Sequence, residues 1–173
     1  VTLDRAAEIL ADLPPFVTPV GLFVDAPPRT IHATTDRLGL RTVQLHGSEP
    51  PDHCNTLPHL RIIRAVNPDT PPETFRAWAQ NPALAAFLWD APPAHGLPGG
   101  TGHTPDWNRI DPSRHPHTPL ILAGGLNPDN VGDAIGRLRP YAVDVSSGVE
   151  RTRGTKEPDL IRAFCRAVHQ SRG

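Results

Sequence analysis

Methionine is absent from the chain, and lysine occurs once, at Lys156. An initiator methionine is removed readily before valine, so the absence of Met is compatible with a natural start and with a truncated one. The single lysine rules out chemistry that needs several lysines on strands. Two cysteines, Cys54 and Cys165, cannot build a disulfide framework, and the expected setting is a reducing cytoplasm. A net charge of −1 supplies no basic field for nucleic acid. No apolar run approaches the roughly 18 residues needed to span a bilayer. The opening "VTLDRAAEIL" carries two acids and no basic-then-apolar export signal. What the chain has in quantity is proline, 22 residues scattered through it, which reads as stiff loops and not as a proline-rich ligand motif. With 173 residues, 38% hydrophobic and 20% charged, it suits a single domain spanning 1–173.

One pattern repeats along that length. Short runs rich in Val, Ile and Leu end in small or polar residues: "VGLFVDA" (20–26), "RTVQLHG" (41–47), "RIIRAVN" (61–67), "AAFLWDA" (85–91), "PLILAGG" (119–125) and "YAVDVSSG" (141–148). Helix-like stretches separate them, among them "PPRTIHATTDRLGL", "TPPETFRAWAQ" and "NPDNVGDAIGRLRP", and "EPDLIRAFCRAVHQ" follows the last. Near-continuous apolar strands alternating with helices predict an α/β fold with a parallel sheet covered on both faces. Six βα units are present. Ahead of them "TLDRAAEILADLPP" places Leu3, Ala6, Ala7, Leu10 and Leu13 on one helix face, with no strand before it. Two architectures fit: an open doubly wound sheet, or an eight-stranded β/α barrel lacking about its first two strands and first helix.

The glycines favour the barrel. β/α barrels often bind phosphate with the loops after strands seven and eight. Here the last two runs end in "AGGLN" and "VSSGVE", small-residue turns that aim backbone N–H groups beside a helix start. A nucleotide-binding sheet would carry its glycine fingerprint after its first strand, and "VDAPPRTIH" has none. Gly124, Gly125, Ser147 and Gly148 are therefore the expected phosphate-binding residues.

Other candidates stand at strand ends. Asp90 closes "AAFLWD", either as a proton donor at the mouth or as a cap on the following loop. Gln44 and His46 are two apart and share a strand face, pointing together at a ligand or together into a hydrogen-bonded core. Arg64 and Asp144 interrupt apolar runs, where a charge needs a partner or a role. Cys54 and Cys165 end no strand and read as packing residues. "GLPGGTG" after Asp90 reads as a flexible loop hinged at Gly99 and Gly100. "RHPHTP" lacks further spaced ligands, so it reads as a polar loop and no metal is assigned.

Taken together, "VGLFVDA", "LGLRTVQLHGSE", "LWDA…GGTGHTPDW", "LILAGGLNPDNVGDAI" and "AVDVSSGVE…GTKEP" resemble the phosphoribosylanthranilate isomerase family of tryptophan biosynthesis, in order and over essentially the whole chain. The resemblance implies a (β/α)8 TIM barrel, no cofactor, a small phosphosugar substrate, and an Amadori rearrangement of an aminoaldose phosphate to a 1-amino-1-deoxyketose phosphate. It places the family's general acid on Asp90 and a residue near the anthranilate and ribose end on Asp144. Arg64 falls where the family tends to have a basic residue, for substrate or for structure. The family's general base is a cysteine in an N-terminal "KICG"-type strand. No counterpart of that strand is found here, which implies a missing N-terminal portion, no assignable base, inactivity of this chain alone, and self-association through open barrel edges. Glu157 stands where the family usually has Asp, a better helix cap. Two other functions compete: a non-catalytic phosphate-ligand binder left from that family, and a related phosphate-sugar barrel enzyme such as an indole-glycerol-phosphate synthase, which the lack of strand lysines disfavours.

Overall fold

The computed structural model describes residues 1–90, 107, 110 and 117–171. Its elements are α1 (Leu3–Ala11), β1 (Val20–Phe23), α2 (Pro28–Leu38), β2 (Thr42–Leu45), β3 (Arg61–Val66), α3 (Pro72–Ala79), β4 (Leu84–Asp90), β5 (Leu120–Ala123), α4 (Val131–Leu138), β6 (Ala142–Val143), β7 (Glu150–Thr152), β8 (Thr155–Lys156) and α5 (Pro158–Gln170). The strands β1 to β6 follow chain order in one sheet. All six predicted strands and all five predicted helices are present, as an α/β protein requires. Between β2 and β3 a 3₁₀ segment, Pro51–Thr56, stands in place of an α-helix. The chain divides into two compact units.

The first unit comprises Val1–Ala65 and Pro71–Ala86. Local chemistry sets its helix ends. Thr2 caps α1, its hydroxyl accepting the Arg5 N–H at 3.2 Å. Proline occupies the first turn of α2 and of α3, where its missing N–H costs nothing. β1 pairs parallel with β2 (Val20 with Thr42), and β2 with β3 (Thr42 with Arg61). Ile31, Val43, Leu45, Leu57, Ile62, Phe75 and Trp78 form a core with no exposed surface. Each such side chain contributes about 1.5–3 kcal/mol relative to exposure. β1 departs from the expected buried strand: Val20 and Leu22 are exposed, because β1 stands at one end of the strand order with β2 as its partner.

The second unit comprises Val66–Thr70 and Phe87–Gly173. β4 pairs parallel with β5 (Phe87 with Leu120, Asp90 with Ala123), and β5 with β6 (Ile121 with Ala142). Phe87, Leu88, Trp89, Leu122, Leu126, Val131 and Phe164 are buried there. α4 packs on α5, and α5 on a 3₁₀ turn at Ser147–Val149. The last predicted strand, "YAVDVSSG", is shorter than its sequence suggests. Only Ala142 and Val143 are strand, although the Asp144 N–H still donates to the Leu122 carbonyl at 2.8 Å. β7 and β8 form a small antiparallel hairpin, so Lys156 lies on a strand and not in the loop its surroundings suggest. Among the described residues no helix is long and apolar enough to cross a membrane.

Candidate active site

Asp90 is the last residue of β4, half-buried and in register with Ala123, the last residue of β5. The chain leaves β5 directly into Gly124 and Gly125. Both adopt positive φ, 79° and 62°, a conformation that costs little only without a Cβ. The following "NPDN" locks this turn from within. The Asn127 side chain accepts from the N–H groups of Asp129 (2.9 Å) and Asn130 (3.1 Å), and the Asn130 amide donates to the Gly125 carbonyl at 3.0 Å. Helix α4 begins immediately after, at Val131, so its positive end faces this turn.

The turn after β6 meets the turn after β5. A Cβ at Gly148 would lie 1.8 Å from the Leu126 carbonyl oxygen and 3.1 Å from the Asn127 Cα. Only glycine allows the two backbones to approach this closely. The hairpin supports the same turn from the other side. Lys156 Nζ donates to the Ser146 carbonyl at 2.8 Å and pairs with Glu150 at 2.8 Å. That hydrogen bond holds the half-buried Glu150 carboxyl below its usual range. Gly124, Gly125, Ser147 and Gly148 thus belong to two loops in direct contact, a geometry suited to surrounding an anion with backbone amides.

Asp144 corrects an expectation. It does not sit inside a buried strand: it follows the end of β6 and is exposed, so the desolvation argument for a partner or a role does not apply to it.

In the first unit Gln44 and His46 do share a face. Val43 and Leu45 are buried on the other side of β2, and the Gln44 amide donates to His46 Nδ1 at 2.8 Å. The His46 N–H donates to the Phe23 carbonyl at 2.9 Å, extending the β1–β2 ladder beyond Leu45.

Arg64 is buried and engaged. Its guanidinium pairs with Glu49 at 2.6 Å, donates to the carbonyls of Leu45 (3.3 Å) and Gly47 (2.8 Å), and lies 5.1 Å from the centre of the Trp78 ring. Of its two open roles, pairing within the protein is the one with observed contacts. Glu49, whose side chain is fully buried, went unnoticed in the sequence. Its second oxygen accepts from the N–H of Asp25 at 2.8 Å, and Asp25 in turn accepts from Ser48 N–H at 2.7 Å. The signal for this cluster was Arg64 itself, a charge in an apolar strand that requires a counter-charge, but spacing alone could not select Glu49 from the chain's other acids.

Neither cysteine has the setting of a base. Cys54 is buried in the 3₁₀ segment, and burial pushes its thiol up to about 11 despite the nearby Arg64. Cys165 lies on α5 and is exposed, not packed as its apolar neighbours suggested. Glu157 does cap α5, through a long 3.5 Å contact to the Asp159 N–H, as a side chain too long for the position would. Gly99 and Gly100 lie outside the described residues, as do residues 114–116 of "RHPHTP". Among the described residues no three His, Cys, Asp or Glu side chains group in a way that could hold a metal.

Comparison with known proteins agrees with this geometry. The profile of the N-(5'-phosphoribosyl)anthranilate (PRA) isomerase family matches residues 1–167. An N-(5'-phosphoribosyl)anthranilate isomerase of Pseudomonas fluorescens is 43% identical over 175 aligned residues, covering 100% of this chain and 80% of its own. The crystal structure of phosphoribosyl anthranilate isomerase from Thermotoga maritima superposes with a TM-score of 0.81 at 37% identity, covering 98% of this chain and 82% of its own. A second isomerase structure, in complex with reduced 1-(o-carboxyphenylamino)-1-deoxyribulose 5-phosphate, gives 0.79 at 35% identity, with coverage of 98% and 80%. By profile, identity and fold alike, the chain belongs to the phosphoribosylanthranilate isomerase family.

Proposed function

We infer that this chain carries the isomerase activity of its family, the conversion of N-(5'-phosphoribosyl)anthranilate to 1-(2-carboxyphenylamino)-1-deoxyribulose 5-phosphate. Family membership over residues 1–167 is the observation that carries the reading, and it leaves the non-catalytic remnant without specific support. The bond changes are those of an Amadori rearrangement. Protonation of the furanose ring oxygen breaks the C–O bond and gives a Schiff base. Loss of the C2 proton gives an enol-amine, which tautomerises to the ketose. Nothing is oxidised or reduced overall, so the reaction needs no redox partner.

In this reading Asp90 donates the ring-oxygen proton, from the end of β4. The turns at Gly124–Gly125 and Ser147–Gly148 take the phosphate, supported by their contact through Leu126 and by the two positive-φ glycines. Gln44, His46 and Asp144 bear on the sugar and anthranilate. We assign no base among the described residues. A positioned acid or base contributes ~10²–10⁴ in rate, roughly 3–5 kcal/mol of barrier. The test is turnover of synthetic N-(5'-phosphoribosyl)anthranilate by the gene product that carries this chain, with product identified by chromatography. Accumulation of the ketose supports the reading. Phosphate-ester binding without turnover would replace it with the binder.

A further inference from the structure

We propose that Glu49 and Arg64 are positioning residues for His46 and Gln44, and that Arg64 acts through this role and not as a substrate ligand. The inference rests on the isomerase reading. Its basis is where the hydrogen bonds fall. Arg64 donates to the carbonyl before His46, on Leu45 (3.3 Å), and to the one after it, on Gly47 (2.8 Å). Glu49 accepts the Gly47 N–H at 2.9 Å with the same oxygen that takes the Arg64 guanidinium at 2.6 Å. The His46 N–H is held by Phe23 at 2.9 Å. The backbone on both sides of His46 is therefore tied to one buried ion pair, and the ring is tied to Gln44 at 2.8 Å.

The other Glu49 oxygen reaches the Asp25 N–H at 2.8 Å. Asp25 adopts a φ of 51°, unusual for a residue with a side chain. Its carboxylate accepts from both the N–H (2.7 Å) and the hydroxyl (3.0 Å) of Ser48. The chain ends leaving β1 and β2 are thereby cross-linked through one carboxylate. Such a pair is an expensive way to gain stability, because both ions lose their hydration, and apolar residues of the same volume often do as well. What an apolar pair cannot do is fix two carbonyls and two amides at set angles. That capacity places a side chain at a strand end within the few tenths of an ångström that catalysis demands. Both Arg64 Nη atoms donate to protein groups, its flat face lies over Trp78, and its Nε, which has no hydrogen-bond partner, is buried, which leaves the guanidinium little to offer a ligand.

The test uses E49Q, R64M and the double variant E49Q/R64M of the gene product, with kcat, KM, thermal midpoint and the His46 ring ¹⁵N signals measured on each. Positioning predicts that either single variant lowers kcat/KM by roughly 10- to 100-fold, mostly in kcat. It also predicts that the double variant is no worse than the poorer single, because one unit is broken once. The His46 ring signals should move in both, while inorganic phosphate binds with unchanged affinity. Should R64M fail to fold, R64K carries the test: it keeps the charge, loses the planar fork, and should recover only part of kcat. The proposal falls if R64M raises KM alone and its effect adds to that of E49Q, or if the His46 signals stay in place. A wild-type protein without turnover would instead overturn the functional reading, while the His46 signals still decide the positioning.

Discussion

At the scale of single residues, four positions can be tested separately. Asp90 ends β4 beside the turn at Gly124, and Asp90→Asn keeps shape while removing the proton donor we propose. Kcat should fall by roughly 10²–10⁴ with KM little changed; near-normal turnover would remove Asp90 from the mechanism. Gly148 is different in kind, since its role is to be absent as a side chain. In Gly148→Ala the new methyl would sit 1.8 Å from the Leu126 oxygen, so one of the two loops must move. Overpacking of this type costs about 1–3 kcal/mol. Thermal unfolding should register that cost, and phosphate affinity should fall with it. An alanine variant of unchanged midpoint and affinity would show that the loops are not in firm contact. The two cysteines can be told apart by alkylation. Burial raises the Cys54 thiol to about 11, so at pH 8 the native protein should react rapidly at exposed Cys165 and slowly at Cys54, and at both once denatured. The folded state keeps the Cys54 proton up to about pH 11 where the unfolded chain loses it near 9. The folded form binds more protons in that window, so this group makes stability fall as pH rises through it.

At the scale of elements, the hairpin β7–β8 acts as a strut. It is held by an antiparallel pairing of Glu150 with Lys156 and braces the Ser146 turn through Lys156 Nζ. Lys156→Met removes the chain's one lysine and both of its hydrogen bonds to Ser146. The lysine is partly exposed, so solvent screens its pair with Glu150 and little stability rests on it. We expect inorganic phosphate to bind several-fold more weakly, about tenfold at most. Amide exchange of residues 146–149 should accelerate, while that of the turn at Gly124–Gly125, locked by its own asparagines, should not. Equal acceleration in both turns would indicate a general loss of stability. Faster exchange nowhere would mean that α5 alone supports the Ser146 turn.

At the scale of the whole molecule, the sequence made the strands and helices legible because apolar runs alternate with proline- and glycine-bounded amphipathic stretches. It showed less where elements are short or partners distant. A hairpin of two- and three-residue strands carries no periodicity. Glu49 and Arg64 are 15 residues apart, and nothing local couples them. Asp144 looked buried because its neighbours are apolar, yet β6 ends one residue earlier. The face-sharing of Gln44 and His46 was readable, since period two is a property of any strand. The exposed face of β1 was not, because exposure depends on what covers a strand. Val20 and Leu22 on β1 are 43% and 59% exposed, Val24 just past its end is 59% exposed, and nearby Phe16 is fully so. An apolar strand at one end of a strand order is a template for another chain. We therefore expect the purified 173-residue chain to self-associate, with a sedimentation coefficient that rises across the micromolar range. Leu22→Lys should reverse this: burying a leucine is worth about 1.5–3 kcal/mol, so the variant's dissociation constant should rise by roughly 10- to 100-fold. The Trp78 core on the opposite side of the sheet should keep its near-ultraviolet signal. A chain that stays monomeric at every concentration, or an association indifferent to Leu22→Lys, would show that this face is not the one that pairs.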